Sequence, residues 1–451
     1  MTETIITTAP GPKGLPIIGN MRAMQKQGML DFYMGLWREY GDVVRVEMGP
    51  MTIHQFVRPE HVQYILVKRS DNFVKGLSHD KLRVPLGYGI LTAEGELWRQ
   101  QRKLMAPTYT RRGVEEFAGV MTSETERMLQ RWSAFNDGDV LQINREMMRL
   151  AMSVISVSMF DIDIGDDFAE AGEALTFILE FANKRTISLI DPPMFIPTRM
   201  NRQLKRSLDV IDGFLYNIIA ERRSQPPGED LLSILMDMRD EDTGERMSDK
   251  QLRDEVLITF FAGHETTAQL LTWTWYLLAK HPDVEARFHQ ELAEVLGGRS
   301  PQAGDATRLE YTRMIMDETL RLYSPVAVTA RDAVEDDSVA GYAIPAGSMV
   351  TLSPFITHRH PEFWEKPDQF FPEHFTEQRV RSRPRYAYYP FGAGPRICLG
   401  MHFALLEGAL VLGELGQRYR FELLPGQDIQ PHWSGTLRPD RDVLMKVFRR
   451  V

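Results

Sequence analysis

Cys398 is the only cysteine in 451 residues, and it sits in the stretch YYPFGAGPRICLG at 388–400. A lone cysteine is ordinarily a small buried hydrophobe. Here Gly394 and Gly400 bracket it, Gly392 adds a further position tolerant of positive φ, and these glycines let a flat ligand approach the backbone. The run LGMHFALLEGALVLGELGQRY has helical periodicity and reads as a helix starting at the cysteine. A sulfur at a helix amino terminus is favoured as thiolate. With no second cysteine to share a cluster, a single thiolate suits one axial bond to haem iron.

A second chemical segment is FFAGHETTAQ, inside the longest apolar helix of the chain. Ser248 and Gln251 form a capping-box pattern at its start, and the apolar run persists to Lys280, just ahead of Pro282. At ~1.5 Å per residue such a helix spans roughly 45–50 Å. Gly263 costs helix propensity of ~1 kcal/mol, and Glu265 needs a partner or water if buried. Either these polar residues lie on a solvated face, or a threonine hydroxyl bonds back one turn, bends the helix and opens a groove for a small ligand. His264 is expected to face solvent or a neighbouring turn. The His358-Arg359-His360 stretch has no third ligand nearby and reads as a surface loop.

The elements that position these residues read as mainly α with a small β part. Residues 95–325 are mostly helical in pattern, and short strand signals flank Gly49-Pro50 and the Pro345/Gly347 turn, so the β part comes from about 40–70 and 330–360. No repeat or low-complexity tract divides the chain, which reads as a single domain over 1–451. One cysteine excludes an intramolecular disulfide, and no signal peptide or transmembrane anchor is expected, so the expected location is cytoplasmic. A formal net charge of −9 argues against nucleic acid as the main partner.

FGAGPRICLG, with Ala404 following, resembles the cysteine-loop signature of the cytochrome P450 family. WRQQR at 98–102, AGHETT at 262–267, ETLR at 318–321 and FFPEHF at 370–375 follow the family's order, and the resemblance covers nearly the whole chain. It implies the P450 fold, with haem b between the long distal helix and the cysteine-loop helix, and Cys398 as the axial thiolate. By the same resemblance, Trp98, Arg102, Arg331 and Arg396 meet the haem propionates, and Glu265 and Thr266 are the acid–alcohol pair that guides protons during oxygen activation. Glu318 and Arg321 form a buried network whose third member is commonly arginine. Here His374 stands in that place and cannot supply a bidentate fork, so His374→Arg is expected to leave folding intact or improve it.

The reaction implied is insertion of one atom of O2 into a C–H bond of a hydrophobic substrate such as a fatty acid, terpenoid or steroid. Phe260, Phe261, Ala262, Val326, Ala327 and Val328 are candidates to line its pocket, with PPMFIPTRM at 192–200 lining or covering it. Electrons are expected from a separate ferredoxin or flavodoxin with its reductase. Arg99, Lys103, Arg111, Arg112 and RVRSRPR at 379–385 are candidates for its docking patch. A haem-thiolate isomerase, dehydratase or peroxygenase and a non-catalytic haem sensor are the alternatives. The intact Glu265-Thr266 pair disfavours the first group.

Overall fold

The computed structural model describes residues 7–163, 169–186, 192–226, 228, 230–237, 239, 244 and 246–450. The helices that position the site are α1 (Gly95–Met105), α2 (Ile143–Phe160), α3 (Ala169–Thr186), α4 (Arg199–Ser224), α5 (Asp249–Lys280), α6 (Glu310–Leu322) and α7 (Met401–Arg418). A five-stranded sheet contains β1 (Val43–Met48), β2 (Met51–Phe56), β3 (Phe73–Val74), β4 (Thr329–Ala333) and β5 (Met349–Leu352), in the order β1-β2-β5-β4-β3. A later hairpin pairs β6 (Pro431–Trp433) with β7 (Leu437–Pro439). The architecture is thus mainly helical with small sheets.

The β1–β2 hairpin turns at Gly49, whose φ of 61° favours a residue without a side chain, and its register runs from Val43↔Phe56 to Met48↔Met51. β2 then pairs in parallel with β5, which pairs antiparallel with β4. Segments some 300 positions apart therefore share one sheet, as the two expected β regions require. A further sheet of Val140–Gln142, Leu444–Arg449 and Tyr419–Leu423 has no counterpart in the sequence reading.

Helix α5 begins and ends where its sequence signals place it. The Ser248 hydroxyl accepts from Gln251 N–H at 3.3 Å, Gln251 Oε1 accepts from Ser248 N–H at 3.1 Å, and the helix stops at Lys280. The helix is unbroken from Asp249 to Lys280. Between Leu252 and Leu278 every residue is buried except Phe261, Ala262, Gly263 and Thr266. Its most extensive packing is on α2. A Cβ on Gly263 would lie 2.6 Å from Ile155 Cδ1 of α2, so glycine permits the two helices to close on each other.

Candidate active site

The cysteine loop folds tightly before α7. Cys398 N–H donates to Phe391 O at 2.8 Å, and Gly392 and Gly394 take φ of 73° and 70°. A Cβ on Gly394 would stand 1.9 Å from Leu66 O, so only glycine fits there. Helix α7 starts at Met401 with Gly400 as its cap, three residues later than expected, because the Gly394–Arg396 turn and its exit use up the intervening backbone. Burial pushes the Cys398 thiol up, while the Gly400 N–H and the Arg102 guanidinium pull the other way. The cysteine residue is nonetheless exposed. Close enclosure and accessibility together describe a sulfur on the wall of an internal recess.

Helix α5 forms another part of that wall. The Tyr109 hydroxyl bonds Thr259 of α5 and feels the charge of Cys398, and the Thr267 hydroxyl is the polar neighbour of the buried Glu407 on α7. The accessible stripe of Phe261, Ala262, Gly263 and Thr266 thus belongs to a helix packed beside the cysteine loop. The Thr266 hydroxyl donates to Ala262 O at 2.7 Å, the back-bond that the sequence suggests. His264 is buried and bonded through Nδ1 to Phe260 O at 2.6 Å, so it faces the preceding turn and not solvent, and burial holds it down to about 4.

Glu265 is buried with its carboxyl off the stripe, accepting the Thr436 hydroxyl at 2.5 Å. Phe260 is 1% exposed, stacks on Phe160 at 4.5 Å, and lines a small apolar cavity with Leu257 of α5, Leu175 of α3 and Ile211, Phe214 and Leu215 of α4. Ala327 is also fully buried, its carbonyl accepting from the Ser353 hydroxyl at 3.0 Å, whereas Val326 is exposed and Val328 packs against an apolar cluster. Phe195, in the 192–200 segment, is 85% exposed, so it lies on the outside and not against a pocket.

The predicted propionate partners converge, with two additions. Arg396 lies 3.7 Å above the Trp98 ring, donates to Ala93 O at 3.0 Å and pairs with Glu94. Arg102 Nη1 donates to Ile397 O at 2.7 Å, bracing the residue before the cysteine. Arg331 is 8% exposed, its hydrogen bonds go to Thr329 Oγ1 and Ala330 O, and burial with nearby Arg396 holds it down to about 10. Lys75, absent from the sequence reading, donates to Leu91 O and is held well below its usual range by burial and by Arg331. His79 lies in the same positive field. A lysine directly after the apolar pair Phe73-Val74 is the signal that could have drawn attention to it.

Lys75, Arg331, Arg396 and Glu94 line one small, partly open cavity. Three basic side chains, one of them buried and two half-buried, around one carboxylate suit the binding of further anions. A cofactor carrying two carboxylates, with a metal within reach of one thiolate, fits this donor set.

Away from the recess, Glu318 and Arg321 are wholly buried and paired through two 2.7 Å contacts. His374 Nδ1 lies 3.1 Å from Glu318 Oε1 and Nε2 meets Glu365 O, so the imidazole completes the network. The His358-Arg359-His360 stretch departs from its expected surface setting: both imidazoles are buried, His358 Nε2 accepting from Tyr389 N–H at 3.0 Å and His360 Nε2 lying 3.1 Å from Asp42. Among the described residues no cluster of metal-ligating side chains occurs. The suggested docking cations are partly spent on their own chain. Arg99 pairs with Glu96, Arg111 with Glu115, Arg379 with Glu365 and Arg381 with Glu377, while Arg383 stacks 3.8 Å over Trp364.

Comparison with known proteins gives a consistent picture. A family model described as cytochrome P450 matches residues 9–447. A cyclooctatin synthase of Streptomyces melanosporofaciens is 33% identical over 94% of this chain and 92% of its own. A cyclooctat-9-en-7-ol 5-monooxygenase of the same organism is 32% identical over 93% and 91%. The crystal structure of the cytochrome P450DA haem domain superposes with a TM-score of 0.90 at 28% identity, covering 99% of both chains.

Proposed function

The chain belongs to the cytochrome P450 family and is a haem-thiolate monooxygenase, and on that premise we propose that it hydroxylates a hydrophobic terpenoid with O2 and electrons from a ferredoxin- or flavodoxin-type carrier. The observation that carries this reading is the surroundings of Cys398: the cysteine is exposed, Arg102 and Tyr109 lie in its electrostatic field, Tyr109 bonds Thr259 of α5, and Arg396, two residues earlier, lines a cavity with Lys75 and Arg331. The relatives named for cyclooctatin support the terpenoid class over fatty acids and steroids. No helix among the described residues is long and apolar enough to cross a membrane.

Bound haem supplies the iron centre at which dioxygen is activated. The chain supplies the rest. Cys398 would give its thiolate to the iron, and Lys75, Arg102, Arg331 and Arg396, with the Trp98 indole N–H, would hold the carboxylates. Phe261, Ala262 and Gly263 present one aromatic ring and two near-absent side chains, so this stripe of α5 would leave room for a hydrophobic substrate. The Thr266 hydroxyl holds a proton at the edge of that space, and Glu265 replenishes it from the solvent side.

The test is an optical titration of the purified holoprotein with panels of terpenoids, fatty acids and steroids. A saturable low-spin to high-spin shift is expected with terpenoids, and a shift confined to another class overturns the substrate assignment. In Thr266→Ala, product per electron consumed should fall on the order of 10²-fold, with peroxide rising in its place. Full coupling in that variant removes Thr266 from the proton path.

A further inference from the structure

Glu265 is 4% exposed, and the side chain that holds it comes from 171 positions away, on the turn between β6 and β7. Thr436 is itself 3% exposed, and the turn around it is tied down. Leu437 N–H donates to Pro325 O at 2.9 Å, Leu437 O accepts from the Trp273 indole at 3.1 Å, and Ser434 N–H donates to Thr436 O at 3.0 Å. Gly435, at φ 92°, makes the reversal possible. The hydroxyl is therefore placed by backbone and not by a mobile side chain.

Beyond Thr436 the polar groups lead outward. Arg438 of β7 donates to Glu180 of α3 at 2.8 Å, and Lys184 lies 3.6 Å from the same carboxyl. Side-chain exposure rises along the series from 27% at Arg438 to 32% at Glu180 and 61% at Lys184. Glu265 thus has a graded polar connection to solvent on the hairpin side, while its carboxyl is turned off the stripe that carries Thr266.

We propose that Thr436 is a positioning residue for Glu265: its hydroxyl holds the carboxyl against the β6–β7 turn, within the field of the Arg438–Glu180 pair, and so sets the pH at which that acid takes up and releases its proton. The inference rests on the reading of Glu265 and Thr266 as the acid–alcohol pair. Burial pushes Glu265 up and nearby Glu180 adds to this, while the Thr436 hydroxyl and Arg438 pull it down. A hydroxyl donating to a carboxylate stabilises the ionised form, so its removal leaves burial to dominate. The hairpin then acts on proton supply from outside the recess.

The test is an infrared titration of the holoenzyme, following the carboxyl band that Glu265→Gln abolishes. Thr436→Val, close in shape but without the hydroxyl, should raise the midpoint by about one pH unit. Thr436→Ser should restore it, and Thr436→Ala replaces the valine variant where that one does not fold. An unmoved midpoint overturns the proposal, as does an equal shift in the serine variant, which would make packing the cause. The outcome is separable from the acid–alcohol reading. Should Glu265→Gln and Thr266→Ala both leave coupling unchanged, that reading falls, whereas the midpoint shift alone decides whether Thr436 holds the acid.

Discussion

At Glu318–Arg321–His374 the chain satisfies its own charges, whereas at Lys75–Arg331–Arg396 it does not. Arg321 uses all its donors: two meet Glu318 and the others reach His358 O, Pro367 O and Gln369 O. Glu318 also accepts Phe371 N–H at 2.8 Å and faces the His374 ring. The second cluster sets three cations around the single carboxylate of Glu94, with its remaining bonds to neutral carbonyls and a hydroxyl. Burial separates them in part: Glu318 and Arg321 are wholly buried, whereas in the second cluster Arg331 is buried and Lys75, Arg396 and Glu94 are half-buried. The difference lies in charge balance: a closed network serves the fold, and an open one is completed by a ligand.

Substitutions should break this contrast in opposite ways. The largest effect is expected from Arg321→Ala, which strands the Glu318 carboxylate at zero exposure and should cost roughly 3–5 kcal/mol of stability, read by denaturant unfolding. Arg331→Ala should instead leave the chain folded and weaken haem retention about 10- to 100-fold, measured by haem transfer to an acceptor protein. Equal loss of folding in both variants would erase the distinction.

His374→Arg sharpens the closed side. The Trp364 face is already taken by Arg383, whose Nη1 donates to His374 O at 3.2 Å, and the imidazole has a partner on each nitrogen. An arginine there is overpacked, so the variant should lose about 1–3 kcal/mol in thermal or chemical unfolding, contrary to the expectation from sequence that it would be tolerated. Unchanged stability would show that the pocket is not shaped to imidazole.

The smallest effect concerns pH on the open side. Burial and neighbouring cations hold the Lys75 ammonium well below its usual range. Two incoming carboxylates favour the charged form, so cofactor binding takes up a proton and its affinity falls as pH rises, by no more than about tenfold per pH unit. A pH-independent haem affinity, or one that rises with pH, would remove Lys75 from the carboxylate contacts.

Legibility followed the range of each interaction. Glu318 and Arg321 are three apart on α6, so their pairing could be read directly from helix geometry. His374 could be named but not judged, because its fit depends on Trp364, Glu365 and Arg383, which meet only in the folded chain. The β1–β2 hairpin was legible from Gly49-Pro50, yet the strand pairs that join residue 53 to 349 carry no local mark.

The sequence by itself determined the thiolate candidate, the capped ends of α5 and the i,i+3 ion pair, since each is a property of neighbours along the chain. Tertiary structure alone decided that Lys75 joins Arg331 and Arg396, that Phe261 is accessible while Phe260 is buried against Phe160, and that Thr436 holds Glu265. The reason is physical. A helix apolar on nearly every side has no periodicity to announce which stripe stays accessible, and a hydrogen bond across 171 positions, or a cavity lined from segments far apart in the chain, exists only once packing has brought the segments together.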